Sequence, residues 1–488
     1  INIGEKDENV SIETPIITGK TYGVYNNNND SVFNFYDGVI KGETGAIYGK
    51  VNDIEQDYEI ITKTEDGVEI KYLAQLPVAK IVSTDKEYLT LQEAFDESES
   101  GDTIQMLRNV TTLSTSQSTT ISEEKNAILD LNGFTMNSST PKTFVNNGIL
   151  KIVDSSEEKQ GILIGTGVML IENNNSLTIE ETKLSTLLTV PQLIDNKGTT
   201  VINSSTIIAV NTENGTINNE ENGILKITDS TISKTDTTGR NILNSGIATI
   251  DNTNFSFKYS YRGRWYNISN SETGNLTLTG GTYSGGYFIY NEGNATINDL
   301  IDTSNSDDDM YNSGGTLNLN NIDKSNSSSP VSNKNNGTIN ITGGSYHKYI
   351  SNSSSNLNIN DATINTSDNG LSNDYSGVVT IKNSTITSNS TGISNGEGII
   401  NLINSTVSSK YYSINNHSTG TINVTGTTNI TSTENHGIYN YGTGTINIGE
   451  KDGNVSIETP IITGKTYGIY NNSNNSVFNF YDGVIKGE

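Results

Sequence analysis

The sequence predicts an all-β chain folded as a parallel β-helix, a solenoid with coils of about 21 residues. Three observations point there: an apolar–x–Asn signal at fixed spacing, an alternating strand after each signal, and no helical period within these coils. The signal reads Ile289-Tyr290-Asn291, Met310-Tyr311-Asn312, Val331-Ser332-Asn333, Ile350-Ser351-Asn352, Leu371-Ser372-Asn373, Ile393-Ser394-Asn395 and Ile414-Asn415-Asn416. Its Asn-to-Asn spacings are 21, 21, 19, 21, 22 and 21 residues. A constant period of this size marks stacked repeats.

After each signal, apolar residues alternate with polar ones, as in Leu317/Leu319, Ile339/Ile341 and Val379/Ile381. Period-two alternation sets such pairs on one face of a strand. One more apolar residue follows in each coil, as in Ile364, Ile386 and Val407. A single coil of this kind cannot bury its apolar side, whereas coil stacked on coil closes a core.

In apolar–x–Asn the first and third residues share a face, so the Asn points inward with its apolar neighbour. A buried amide is costly unless bonded, and one recurring at the same turn can bond its copies above and below. A ladder is therefore expected through Asn244, Asn270, Asn291, Asn312, Asn333, Asn352, Asn373, Asn395, Asn416, Asn440 and Asn471. Before it, Asn146, Asn173, Asn196 and Asn219 continue the series at spacings of 23 to 27 residues, which implies longer turns. The residues between the apolar residue and the Asn, Tyr290, Tyr311, Tyr439 and Tyr470 among them, point outward and are placed to stack.

Long coils, an inward Asn at one turn and Asn/Thr-rich strands resemble the pectin-lyase-like right-handed β-helix, of the kind found in tandem-repeat bacterial surface and adhesin proteins. The resemblance implies a fold but not an activity, since lyases, hydrolases, tailspikes and inert stalks share it. Right-handedness agrees with the rule for parallel crossovers.

Taken in order, residues 1–43 return as residues 446–488 with four differences: Glu8/Gly453, Val24/Ile469, Asn28/Ser473 and Asp30/Asn475. The larger period is 445 residues, and a tandem array of such periods is expected. Residues 1–49 then read as the terminal coils of a preceding copy. Residues 50–88 form a junction, with a β-hairpin between Glu59 and Leu73 that turns at Asp66-Gly67. Residues 89–110 hold a short helix and a first strand: Thr90 and Glu93 form a capping box before Leu91. The family resemblance extends to this order, in which a helix covers the open end of the solenoid. The strands Gly101-Asp102-Thr103-Ile104 and Leu129-Asp130-Leu131-Asn132-Gly133 follow it there. Residues 111–488 are the β-helix itself, interrupted at its C-terminal end within a coil.

A net charge of −26 with only four Arg excludes a basic nucleic-acid footprint and argues against an anionic membrane surface. No apolar run approaches the length of a spanning helix. The chain has no Cys, hence no disulfide or thiolate metal site. With its Asn/Thr-rich composition this fits an exported bacterial protein, secreted or on the cell surface.

The candidate ligand site is the segment Tyr259, Tyr261, Arg262, Arg264, Trp265 and Tyr266, which holds the only Trp. Flat aromatic faces stack on sugar rings, and Arg bonds hydroxyls or carboxylates. Elsewhere, Asp307-Asp308-Asp309 reads as a solvated turn, because adjacent strand residues cannot share a face. His347, His417 and His436 lie in distant coils, and His436 reads as a turn residue. No catalytic residue, metal or cofactor is assigned. The expected function is a structural, non-enzymatic extracellular stalk or adhesin module whose partners are further copies of itself, with a glycan or host surface as a possible ligand. The alternative is a polysaccharide lyase or hydrolase of the pectin-lyase type, or a glycan-binding module.

Overall fold

A computed structural model describes the chain except at residues 7–9, 12, 29, 113–115, 191, 213–214, 237, 259–264, 305–309, 452, 454 and 457. The fold is an all-β parallel solenoid of about 19 turns, with a single helix among the described residues, and its coils average roughly 23 residues. It divides into two compact units: residues 1–97 with 104–108, and residues 98–103 with 109–488.

The first unit begins with two parallel coils. Asn2–Ile3, Asn34–Phe35 and Asp53–Ile54 form one parallel sheet, Ile16–Gly19 pairs Val39–Gly42, and Tyr22–Tyr25 pairs Gly45–Tyr48. The expected hairpin follows as Tyr58–Glu65 and Val68–Gln75. Its turn residues Asp66 and Gly67 have φ of 49° and 81°, the left-handed pair that a two-residue hairpin requires. Val68–Gln75 then lies antiparallel on Val39–Gly42, so the parallel stack stops there. The helix Leu91–Glu97 starts at the expected capping box: Glu93 N donates to Thr90 Oγ1, and Thr90 N to Glu93 Oε2, both at 3.2 Å. The helix buries Leu91, Ala94 and Phe95.

The second unit is the long solenoid, each coil giving one strand to each of three parallel sheets. The first sheet runs from Asn126–Asp130 to Val477–Phe480, the second from Val110–Thr112 to Val484–Gly487, and the third from Thr119–Ile121 to Tyr467–Asn471. Register is strict. In the first sheet Leu317, Ile339, Leu357, Val379, Ile400, Ile422 and Ile446 sit one above the other, all fully buried. Ile364, Ile386 and Val407 do the same in the second sheet, and the apolar residues of apolar–x–Asn in the third. The core is thus lined from three sides by every coil.

Coils are longer on average than the 21 residues read from the sequence because turns, not strands, absorb the excess. Asn146 and Asn173 remain register partners 27 residues apart, and Asn440 and Asn471 remain so at 31. Among the described residues no helix is long and apolar enough to cross a membrane.

Candidate functional site

The third sheet carries both features that give the solenoid its character: an inward amide ladder and an outward column of side chains. Asn146 through Asn440 form the ladder at 0% exposure. Each Nδ2 donates to the Oδ1 of the next rung, from Asn146→Asn173 at 2.8 Å through Asn333→Asn352 at 2.9 Å to Asn440→Asn471 at 2.7 Å. The second amide hydrogen goes to backbone: Asn333 Nδ2 also donates to Asn356 O at 2.7 Å and Gly337 O at 3.2 Å. All rungs point the same way, so successive amide dipoles reinforce one another. Asn471, expected inside, is exposed; its Oδ1 takes a bond from Ser476 Oγ at 2.7 Å besides that from Asn440. Among the described residues Asn471 stands on the last strand of the third sheet.

A second, half-exposed ladder runs outside the first sheet and was not foreseen. Asn340 donates to Asn318 at 2.8 Å and Asn358 to Asn340 at 2.9 Å, and Asn423, Asn447 and Asn479 repeat the pattern farther on. Polar residues of outward strand positions carry no sequence mark beyond composition.

The outward column is the middle residue of apolar–x–Asn. It runs Leu243, Ser269, Tyr290, Tyr311, Ser332, Ser351, Ser372, Ser394, Asn415, Tyr439 and Tyr470 in unbroken register. Where Tyr follows Tyr the rings stack as expected, with Tyr290 and Tyr311 5.5 Å apart and 14° from parallel. Tyr439 and Tyr470 stand 5.7 Å apart. His436 joins this second group 4.9 Å from Tyr470. It opens a strand, His436–Asn440, and is not the turn residue the sequence suggested. Burial holds its imidazole below the ordinary histidine range.

The Tyr290–Tyr311 stack borders a groove of about 320 Å³. Tyr266 closes one side, its ring 5.4 Å from Tyr290 and 6.2 Å from Tyr311. Arg240 and Glu292 supply opposite charges at the rim. Tyr290 OH donates to Glu292 Oε1 at 3.0 Å, and burial with that carboxylate raises the phenol's pKa. Burial pulls the Arg240 guanidinium down and Glu292 opposes the shift. Arg240 also faces Trp265, its Cζ 5.6 Å from the indole centroid, and Lys334 Nζ stands 5.4 Å from the Tyr311 ring.

Of the six candidate ligand residues, Trp265 and Tyr266 are thus drawn into this cluster. Tyr259, Tyr261, Arg262 and Arg264 lie outside the described residues, as do Asp307, Asp308 and Asp309. Phe255 and Phe257, which open the same unusual segment, are core residues, Phe255 lying 6.5 Å from Phe288. Sequence reasoning missed Arg240 and Glu292. The register could have found Glu292, two residues past the outward Tyr290. Arg240 comes from a turn, which no periodicity marks. Among the described residues no group of three or more His, Asp or Glu side chains is placed to hold a metal.

Chemically, the groove offers stacked aromatic faces beside a cation and a carboxylate, a combination suited to polyhydroxylated rings. Compared with family models, curated proteins and solved structures, the chain matches none.

Proposed function

We propose that the chain is a structural, non-enzymatic module of an extracellular bacterial stalk or adhesin, built from tandem β-helices of the pectin-lyase-like kind. The observation that carries this reading is the duplicated end. Residues 1–43 and 446–488 form the same strands in the same register within different units. Asn2 pairs Asn34 as Asn447 pairs Asn479, and Ile16 pairs Val39 as Ile461 pairs Val484. A segment that ends one solenoid and recurs 445 residues later suits a series of solenoids. A high negative charge keeps such surfaces apart in solution, in keeping with an exported fibre. Electron microscopy of a chain carrying two 445-residue periods tests it. Two solenoid segments in series are expected, and one collapsed particle would refute the reading.

The groove beside Tyr290 favours a second role, glycan binding by the stalk. Titration with neutral and acidic oligosaccharides tests it, with loss of binding expected in Tyr290→Ala. Equal binding by the variant would remove the groove from consideration.

A further inference from the structure

Asp302 and Lys324 stand where apolar side chains belong. The inward column of the second sheet runs Phe255, Tyr283, Asp302, Lys324, Tyr346 and Ile364, one residue per coil. The side chains of the charged pair are 0% and 1% exposed. Tyr283 on one side and Tyr346 on the other are buried as well. An ion pair at such a position carries a desolvation cost that two apolar residues would not.

The atoms around the pair are arranged for acyl transfer. Lys324 Nζ donates to Asp302 Oδ2, so the amine and the carboxyl carbon are neighbours. Asp302 Oδ1 accepts the Ser304 backbone N–H at 2.8 Å. Lys324 Nζ also donates to Ser327 Oγ at 3.2 Å, and that hydroxyl stands 3.1 Å from Ser304 Oγ. Ser327 Oγ is held in turn by the Ser329 N–H at 3.2 Å. All three serines are buried. A donor thus rests on one carboxyl oxygen while the amine and a hydroxyl meet at the other.

We propose that Lys324 and Asp302 condense into an amide that links two neighbouring coils covalently. Proton transfer from Nζ to Oδ2 removes both buried charges and frees the nitrogen lone pair. Nζ attacks Cγ, and the Ser304 N–H stabilises the charge that develops on Oδ1. Nζ then gives a second proton to Oδ2, relayed by Ser327 Oγ, and the Cγ–Oδ2 bond breaks to release water. Ammonium and carboxylate become amide and water, and no co-reactant is needed. One neutral amide replaces two buried charges, which favours the product. The two residues are 22 positions apart, so the link closes one coil of the solenoid on itself. A closed coil cannot be peeled open at that point. Such a device suits a stalk under load, but the chemistry does not depend on that reading.

Mass spectrometry of the full chain under denaturing conditions reads the outcome directly, because the link lowers the mass by one water. That loss is expected once the folded chain has been incubated to constant mass, and chain held in denaturant throughout should keep its full mass. Cleavage after Tyr311, which lies between the two residues, should leave the fragments joined through Asp302 and Lys324. Lys324→Arg keeps the cation but should show the full sequence mass and fragments that separate. Asp302→Asn should lose ammonia in place of water. Folded wild-type chain of full sequence mass whose fragments separate would overturn the proposal, and this result needs no variant to fold. So would a loss of water that persists in Lys324→Arg, since a ring closed elsewhere in the chain would then account for it. Neither failure bears on the solenoids in series, which electron microscopy tests separately.

Discussion

Replacing one rung of the buried ladder measures what the Asn residues do. Asn333 sits in mid-solenoid at 0% exposure. Its Oδ1 accepts from Asn312 at 2.9 Å, and its Nδ2 donates to Asn352 Oδ1 at 2.9 Å and Asn356 O at 2.7 Å. In Asn333→Leu the Asn312 amide keeps Gly315 O at 2.8 Å and Thr338 O at 3.2 Å, so the donor side survives. Asn352 Oδ1 loses the amide that bonds it. A stranded acceptor at a fully buried position costs about 1–3 kcal/mol. Asn471→Leu is the internal control, because that rung is exposed and water takes over its bonds. Denaturant unfolding of both variants should show a loss of about 1–3 kcal/mol for Asn333→Leu and a clearly smaller loss for Asn471→Leu. Equal effects, or no effect at Asn333, would mean that the amides carry no energetic weight in the core.

Three further outcomes are expected. Lys324 and Asp302 form an ion pair inside the solenoid with side chains only 1% and 0% exposed. Lys324→Met should cost about 3–5 kcal/mol by leaving a buried carboxylate, and a paired Lys324→Met, Asp302→Leu change should recover most of it in thermal melts. Lys234 is buried, its Nζ donating to Thr212 Oγ1 at 2.9 Å, and burial pushes its pKa down from 10.5 to about 7. The unfolded chain then holds one more proton between those values. Stability attributable to Lys234 should rise with pH across that window by about 1.4 kcal/mol per unit, and Lys234→Met should flatten the profile. Trp265 is the only indole and faces Arg240 at the rim of the tyrosine groove. Its fluorescence should change on saturation with a bound oligosaccharide, and Tyr311→Ala should abolish the change without altering the melting curve by more than about 1 kcal/mol.

The repeat was legible because its two strongest constraints leave single-residue marks. An inward Asn cannot be exchanged freely for Ser or Asp once its amide must reach both neighbours, so Asn291 through Asn440 stand out at fixed offsets. The inward Leu317, Ile339 and Val379 mark the strands in the same way. The capping box at Thr90 and Glu93 and the Asp66-Gly67 turn were legible for a similar reason, since each demands particular residues at particular positions. What the period cannot show is which turns meet. Arg240 reaches Trp265 from a turn of another coil. Lys324 and Asp302 instead occupy the inward strand position that Tyr283, Tyr346 and Ile364 hold in neighbouring coils, where two charged residues break the apolar pattern. Average coil length was underestimated because long turns leave the strand register untouched. The groove was half legible: Tyr290 and Tyr311 follow from the column, while their charged neighbours do not.

Distances along the outward column of the third sheet test the stacked solenoid most directly. Val145, Ser351, Ser372 and Ser394 all belong to this column, with Val145 reaching Leu243 through Glu172, Asp195 and Asn218. None is fully buried, and the absence of Cys allows spin labels at engineered pairs. Stacking at about 4.8 Å per coil places Ser351, Ser372 and Ser394 at roughly 43, 48 and 53 Å from Val145. Pulsed electron–electron resonance should return three narrow distributions that lengthen by about 4.8 Å per step. Distances that are broad, or that fail to grow from Ser351 to Ser394, would contradict the coil-on-coil architecture.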